Sequence, residues 1–318
     1  MEFPTTPMTT RSRVVLEIAS ELVADRSQPY NQAKVLLRTQ GMSDWPICLF
    51  GSSTVEGVHA VSKGEAALAI VNPASVLALA VKGAGLFTAP QPLRPIAVIP
   101  SYDNYVFAVR PETGLATFED IAAKRCPLRL SLRGHPDHSL HLMLDDIAAA
   151  AGFSMADIVA WGGAVTKEDV LPPFPRRDKF QKFARGDITA IFDEAANTWV
   201  AEALDAGATI LPLSETTVRK LETMGYRRGI IKKADYPKLS ADVLTIDFSG
   251  WPVFVHARAP DDLVTRICAA LEARKHLIPW QGEGPLPLDR MCRETPETPQ
   301  LVPLHPAAEN FWRGRGYL

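Results

Sequence analysis

The chain has 318 residues, 47% of them apolar, and sets 34 Lys and Arg against 36 Asp and Glu for a net charge of −2. At roughly 100–200 residues per domain, this length predicts two domains or lobes, each with its own core, and the apolar content excludes a disordered or fibrous chain. The balance also lacks the basic excess that neutralising a phosphate backbone requires, so nucleic acid is not expected as a partner.

The opening residues, MEFPTTPMTTRSR, contain no apolar signal-like run. As it stands the chain is expected in the cytoplasm, and in the periplasm if a leader has been removed. Val14 to Ala19 reads as a strand, Pro29 to Thr39 as a helix with Ala33, Leu36 and Leu37 on one face, and Ile47 to Phe50 as a strand. The hydroxyl-rich turn Gly51-Ser52-Ser53-Thr54 precedes a helix over Val55 to Ser62, which one of these side chains is placed to cap. A buried strand (Ala66 to Val71) and a helix (Ala74 to Val81) follow. Their apolar stretch is broken by Asn72-Pro73, which argues against a membrane span.

Ile96 to Ile99 and Tyr105 to Val109 read as strands, joined by a Pro100–Asn104 segment that looks like a crossover between lobes. The βα pattern then restarts: a helix start over Thr117 to Lys124, a strand over Leu128 to Leu132, and a helix from Ser139 to Ala151 that stops at Gly152. Beyond the proline cluster Pro172, Pro173 and Pro175 come a helix through Phe180 and Phe183 and a strand from Ile188 to Phe192. Late in the chain, Val253 to His256 reads as a strand, Asp261 to Leu277 as an amphipathic helix, and the proline-rich tail Pro285–Pro306 as an irregular wrap. Strands alternating with helices predict parallel or mixed sheets covered on both faces. The four cysteines, Cys48, Cys126, Cys268 and Cys292, form no CxxC or metal-finger spacing and read as packing residues.

Several segments carry a family likeness. GSSTVEGVHAVSKGEAALAIVNP resembles the first-lobe signature of TAXI-class solute receptors of tripartite (TRAP) transporters, and TFEDIAAKRCPLRLSLRGHPDHS resembles their second-lobe helix, basic turn, strand and ligand loop. FARGDITAIFDEA, GWPVFVHA and VPLHPAAENFW are similar to further segments of the same family, so the likeness runs from Val14 to Trp312. The resemblance implies a two-lobed α/β fold of the type 2 periplasmic-binding-protein kind, with a ligand cleft between lobes. Lobe 1 is expected over residues 12–100 and 250–318 and lobe 2 over 101–249. It also implies a small organic acid as ligand and, in case of export, a membrane transporter as partner. Relatives of this fold also work inside cells, including decarboxylases of aromatic acids. A cytoplasmic, cofactor-free lyase acting on an aromatic or dicarboxylic acid is therefore the alternative to a receptor.

The expected ligand-contacting residues sit at strand ends and in the crossovers. Ser52, Ser53 and Thr54 offer hydroxyls and N–H groups to a carboxylate, a role compatible with plain N-capping. Gly134-His135-Pro136-Asp137-His138-Ser139 stands between strand and helix. His135 and His138 there are expected to donate hydrogen bonds to an anion or, in an enzyme, to act as general acid, while His141 is expected to pack within its helix. The H-x₂-H-x₂-H spacing is not a standard zinc pattern, and neither metal nor cofactor is expected. Arg133 is either a carboxylate clamp or a surface arginine. Asp193 and Glu194 either bond a ligand or lie solvated at the cleft edge. Asn72 ends a strand, Tyr102 and Asn104 lie in the first crossover, and Trp251 lies in the second, where an aromatic ring is expected to stack on a ligand or fill the hinge.

Overall fold

The computed structural model describes residues 7–24, 30, 32–38, 47–52, 55–134, 138–168 and 176–318. Among these the strands are β1 (Gln32–Leu37), β2 (Ile47–Ser52), β3 (Leu68–Ile70), β4 (Leu93–Ile99), β5 (Val106–Val109), β6 (Arg129–Leu132), β7 (Ala164–Lys167), β8 (Ala190–Asp193), β9 (Thr209–Ile210), β10 (Arg228–Ile231), β11 (Val243–Ile246) and β12 (Trp251–His256). They form two five-stranded sheets, ordered β1-β2-β3-β12-β4 and β7-β6-β8-β5-β9, and the hairpin β10-β11.

The two sheets share one plan. Each has parallel neighbours, β2 with β3 in the first and β6 with β7 and β8 in the second. In the fourth position of each stands an antiparallel strand that has just arrived from the other half of the molecule. β5 follows β4 of the first sheet and pairs with β8 and β9, and β12 follows the β10-β11 hairpin and pairs with β3 and β4. The molecule is thus a two-lobed α/β protein crossed twice by its chain. The crossings lie side by side: Tyr105 N–H donates to the Ile246 carbonyl, Phe248 N–H to Asp103 and Gly250 N–H to Ser101, each at 2.9 Å.

The central strands β5, β8 and β12 are buried on both faces, and the pleat divides the two sides. Along β12, Phe254 enters one hydrophobic cluster while Val253 and Val255 enter another, and along β5 Phe107 and Val109 alternate with Val106 and Ala108. The shared central cluster contains Phe107 against Phe118 (ring centroids 4.2 Å) and Phe192 (5.3 Å). On the outer face of the first sheet the helices Asp261–Arg274 and Pro306–Gly314 pack together, and Trp312, fully buried, donates from Nε1 to the Ile96 carbonyl at 2.8 Å. Cys268 and Cys292 lie in this layer, where burial pushes both thiols up to about 12.

Two expectations are reversed at the N-terminus. Val14–Ala19 lies within the helix Pro7–Ala24, not a strand, and the segment expected as a helix over Pro29–Thr39 contains strand β1. Val14, Ile18 and Leu22 recur every four residues, and no Gly or Pro interrupts the run, so the helical period prevails over the β-branched composition. β1 is an edge strand exposed at nearly every residue. No inward-outward alternation is imposed on it, and pairing with β2 decides its conformation. The tail Pro285–Pro306 is not wholly irregular. It contains the short helix Leu288–Met291 and leads into the helix Pro306–Gly314. No described helix is long and apolar enough to cross a membrane.

Candidate functional site

A cavity of about 860 Å³ opens beside the paired crossings. Residues from both lobes line it. Asn72 comes from the turn after β3, Tyr102 and Asp103 from the first crossing, Arg133 from the end of β6, His138 from the start of the helix Ser139–Ala151, Glu194 and Ala195 from the turn after β8, and Trp251 from the start of β12. Strand ends and a helix N-terminus converge here, the arrangement in which α/β proteins hold ligands.

Arg133 organises the polar wall. Its Nη2 is paired with Glu194 Oε1 and lies 3.2 Å from Asp193 Oδ1, while its Nε donates to that same oxygen at 3.3 Å. Behind it Lys179, 1% exposed, places Nζ 3.2 Å from Asp193 Oδ2 and 3.7 Å from Glu168 Oε2. Asp193 is therefore held between two cations and does not face the cavity, whereas Glu194 does. Burial, opposed by Arg133 and reinforced by Asp103 and Asp193, holds the Glu194 carboxyl well above its ordinary range. Burial draws the Arg133 guanidinium down, but Glu194, Asp193 and Asp103 outweigh it and leave Arg133 raised.

Asp103 fixes the turn after β8 to the crossing. Its Oδ1 accepts N–H bonds from Asn104 (2.8 Å) and Ala196 (3.0 Å), and its Oδ2 accepts one from Ala195 (2.6 Å). Ala195 has φ of 57°, a left-handed conformation that a non-glycine residue adopts only when its surroundings hold it there. Burial raises the Asp103 carboxyl above its usual range against the pull of the Glu194 hydrogen bond and the three amides.

His138 is the N-cap of the helix Ser139–Ala151, its Nδ1 accepting from Leu140 N–H at 3.2 Å. Its Nε2 lies 3.4 Å from Arg133 Nη1. The ring lies parallel to Phe248 of the second crossing, at 7° and 6.3 Å. His141 is buried on the same helix.

The remaining expected residues divide as follows. Ser139 does not line the cavity. Its Oγ donates to the Asn72 carbonyl and so ties the helix Ser139–Ala151 to the turn after β3. Ser52 is buried at the end of β2, away from the cavity, and Ser53, Thr54 and His135 lie outside the described residues. Asn104 lines a side cavity of about 150 Å³ together with Tyr102 and Asp103, and Tyr102 donates to the Ile230 carbonyl at 3.3 Å. Asn72 Oδ1 and Trp251 Nε1 are buried with no hydrogen-bond partner. Sequence reasoning missed Ser101, Asp103, Asn197 and Thr198, as well as Trp280, Gln281, Arg290 and Glu297, which the tail brings back across the cleft. Arg290 is paired with Glu297, so both arginines lining the cavity already face carboxylates. No cluster of three or more His, Cys, Asp or Glu side chains able to hold a metal occurs among the described residues.

Comparison with known proteins adds a family. The model of the NMT1-like family matches residues 51–316. Among solved structures, a TctC solute-binding protein from Polaromonas is similar at 16% identity, over 69% of this chain and 67% of that one, with a TM-score of 0.32. ArtJ, an arginine-, lysine- and histidine-binding protein from Geobacillus stearothermophilus, is similar at 10% identity over 73% and 77% with a TM-score of 0.30. An ancestral arginine-binding protein is similar at 14% over 69% and 70% with the same score. No curated protein matches the chain.

Proposed function

The chain belongs to the NMT1-like family, and on that premise we propose that it is a solute receptor of the TAXI kind, closing its two lobes on a small organic acid without chemical conversion. The observation that carries this reading is the cavity between the lobes, walled by crossing residues, by the donor Arg133 and by His138 at the head of a helix. A carboxylate suits that wall: a guanidinium fork binds both oxygens, and the helix N-terminus favours negative charge. Trp251 Nε1 and Asn72 Oδ1 offer one further donor and one acceptor for the rest of the molecule. The lyase alternative has less to stand on, because His138 spends Nδ1 on capping its own helix and Nε2 adjoins a guanidinium. A receptor of this kind hands its solute to a membrane transporter, which makes the periplasm its place of work.

Thermal-shift screening of mono- and dicarboxylic acids tests the reading. A binder raises the melting temperature by mass action, and small-angle scattering then shows the radius of gyration fall as the lobes close. If no acid stabilises the protein at millimolar concentration, the carboxylate assignment is wrong.

A further inference from the structure

Arg133, the group proposed to clamp a carboxylate, is itself engaged by carboxylates. Arg133 is engaged by Glu194 on the cavity side and by Asp193 behind, and Asp193 is anchored independently by Lys179. Of the two acids on Arg133, only Glu194 is placed to leave, since it lines the cavity and Asp193 does not. The surroundings also decide what becomes of its charge. From the crossing, Asp103 presents a carboxylate whose oxygens already accept three backbone N–H groups. From the end of β8 comes Asp193, from beyond β7 Glu168, from the helix Arg176–Arg185 Lys179, from the helix head the capping His138, and from just before β5 the hydroxyl of Tyr105, which donates to the Leu140 carbonyl at 3.4 Å. Among the described residues, Arg133 and Lys179 thus lie among Asp103, Glu168, Asp193 and Glu194. A ligand carboxylate entering here adds a negative charge beside buried Glu194, which Asp103 and Asp193 already crowd, in a setting where like charges repel far more strongly than in water.

We propose that an incoming carboxylate takes Arg133 from Glu194 and that Glu194 accepts a proton from solvent as it is displaced, so that each ligand bound brings up to one proton with it. The proposal rests on the carboxylate reading above. The ion pair between Arg133 Nη2 and Glu194 Oε1 breaks, the guanidinium N–H groups pass to the ligand oxygens, and the solvent proton rests on Glu194, facing Asp103. The net charge of the cluster is the same before and after. The Glu194 carboxyl, already held high by burial, rises further once it loses Arg133. Affinity therefore falls up to tenfold per pH unit between the ligand-free and ligand-bound values of Glu194, and is level on either side.

Isothermal titration calorimetry tests this with the tightest binder among straight-chain mono- and dicarboxylates of two to six carbons, measured at one pH in phosphate and in Tris. These buffers differ in ionisation enthalpy, so the difference in observed heat counts protons. The expected result is net uptake approaching one proton in the wild-type protein, lost in Glu194→Gln, whose affinity stays level over the pH range in which that of wild type falls. The wild-type count stands alone if the variant does not fold. Tight binding with no proton uptake, or uptake unchanged in Glu194→Gln, overturns the exchange and leaves the carboxylate reading intact. Absence of binding by every acid overturns both.

Discussion

Asp247 lies in the second crossing with Ser249 Oγ 2.6 Å from its Oδ1 and Arg227 Nη1 3.6 Å from its Oδ2. Burial pushes its carboxyl up to about 6 from 3.8, against the pull of Ser249 and Arg227. The folded protein therefore holds this proton more tightly than the unfolded chain does. Stability from this group is fully present below pH 3.8 and is lost as pH rises through 6. The full span is worth about 3 kcal/mol at about 1.4 kcal/mol per pKa unit, of which about 1 kcal/mol falls between pH 5 and pH 7. Asp247→Asn cannot titrate. Urea unfolding of both proteins at pH 5 and pH 7 should show wild type losing about 1 kcal/mol more than the variant over that interval. Equal losses in the two proteins would refute the claim that the buried crossing penalises this charge.

Trp312→Ala removes a fully buried ring and leaves the Ile96 carbonyl without its donor, and should cost about 3–5 kcal/mol in urea unfolding. Lys179→Met strands Asp193 and Glu168 beside one fewer cation, and a loss of about 3–5 kcal/mol at pH 7 is expected from the same assay. Gly163→Ala would place a Cβ 2.8 Å from the Pro127 carbonyl carbon and 2.9 Å from Ile158 Cγ2. It should lower stability by about 1–3 kcal/mol, seen as a lower midpoint in thermal unfolding.

The helix Ser139–Ala151 is legible in the sequence because its apolar spacing is unbroken and Gly152, at φ 93°, gives it a left-handed stop. β5 and β8 are legible as short apolar runs, since both faces of their sheet are covered. β10 is not. It has four residues, and its conformation is settled by pairing with β11 across a long connection that leaves no local signature. The site divides along the same line. Asn72, Arg133 and Glu194 follow strands, Tyr102 and Trp251 lie in or beside crossings, and position in an α/β fold brings such residues to one cleft. Asp103 reads in sequence as an ordinary turn residue, and nothing local reveals that its oxygens are filled by amides from the turn after β8. Arg290 and Glu297 lie in a proline-rich tail whose lack of periodicity conceals where it returns.

The shared sheet plan sets an order of assembly as the chain leaves the ribosome. All five strands of the second sheet lie between residues 106 and 210, so that sheet has its full complement while about a third of the chain is still to come. The first sheet, begun earlier, waits longer. β3 and β4 have no strand between them until β12 emerges at Trp251–His256. Until then both carry open edges of the kind that recruit foreign strands. A chain truncated before residue 251 should accordingly aggregate through its N-terminal half while its second sheet folds.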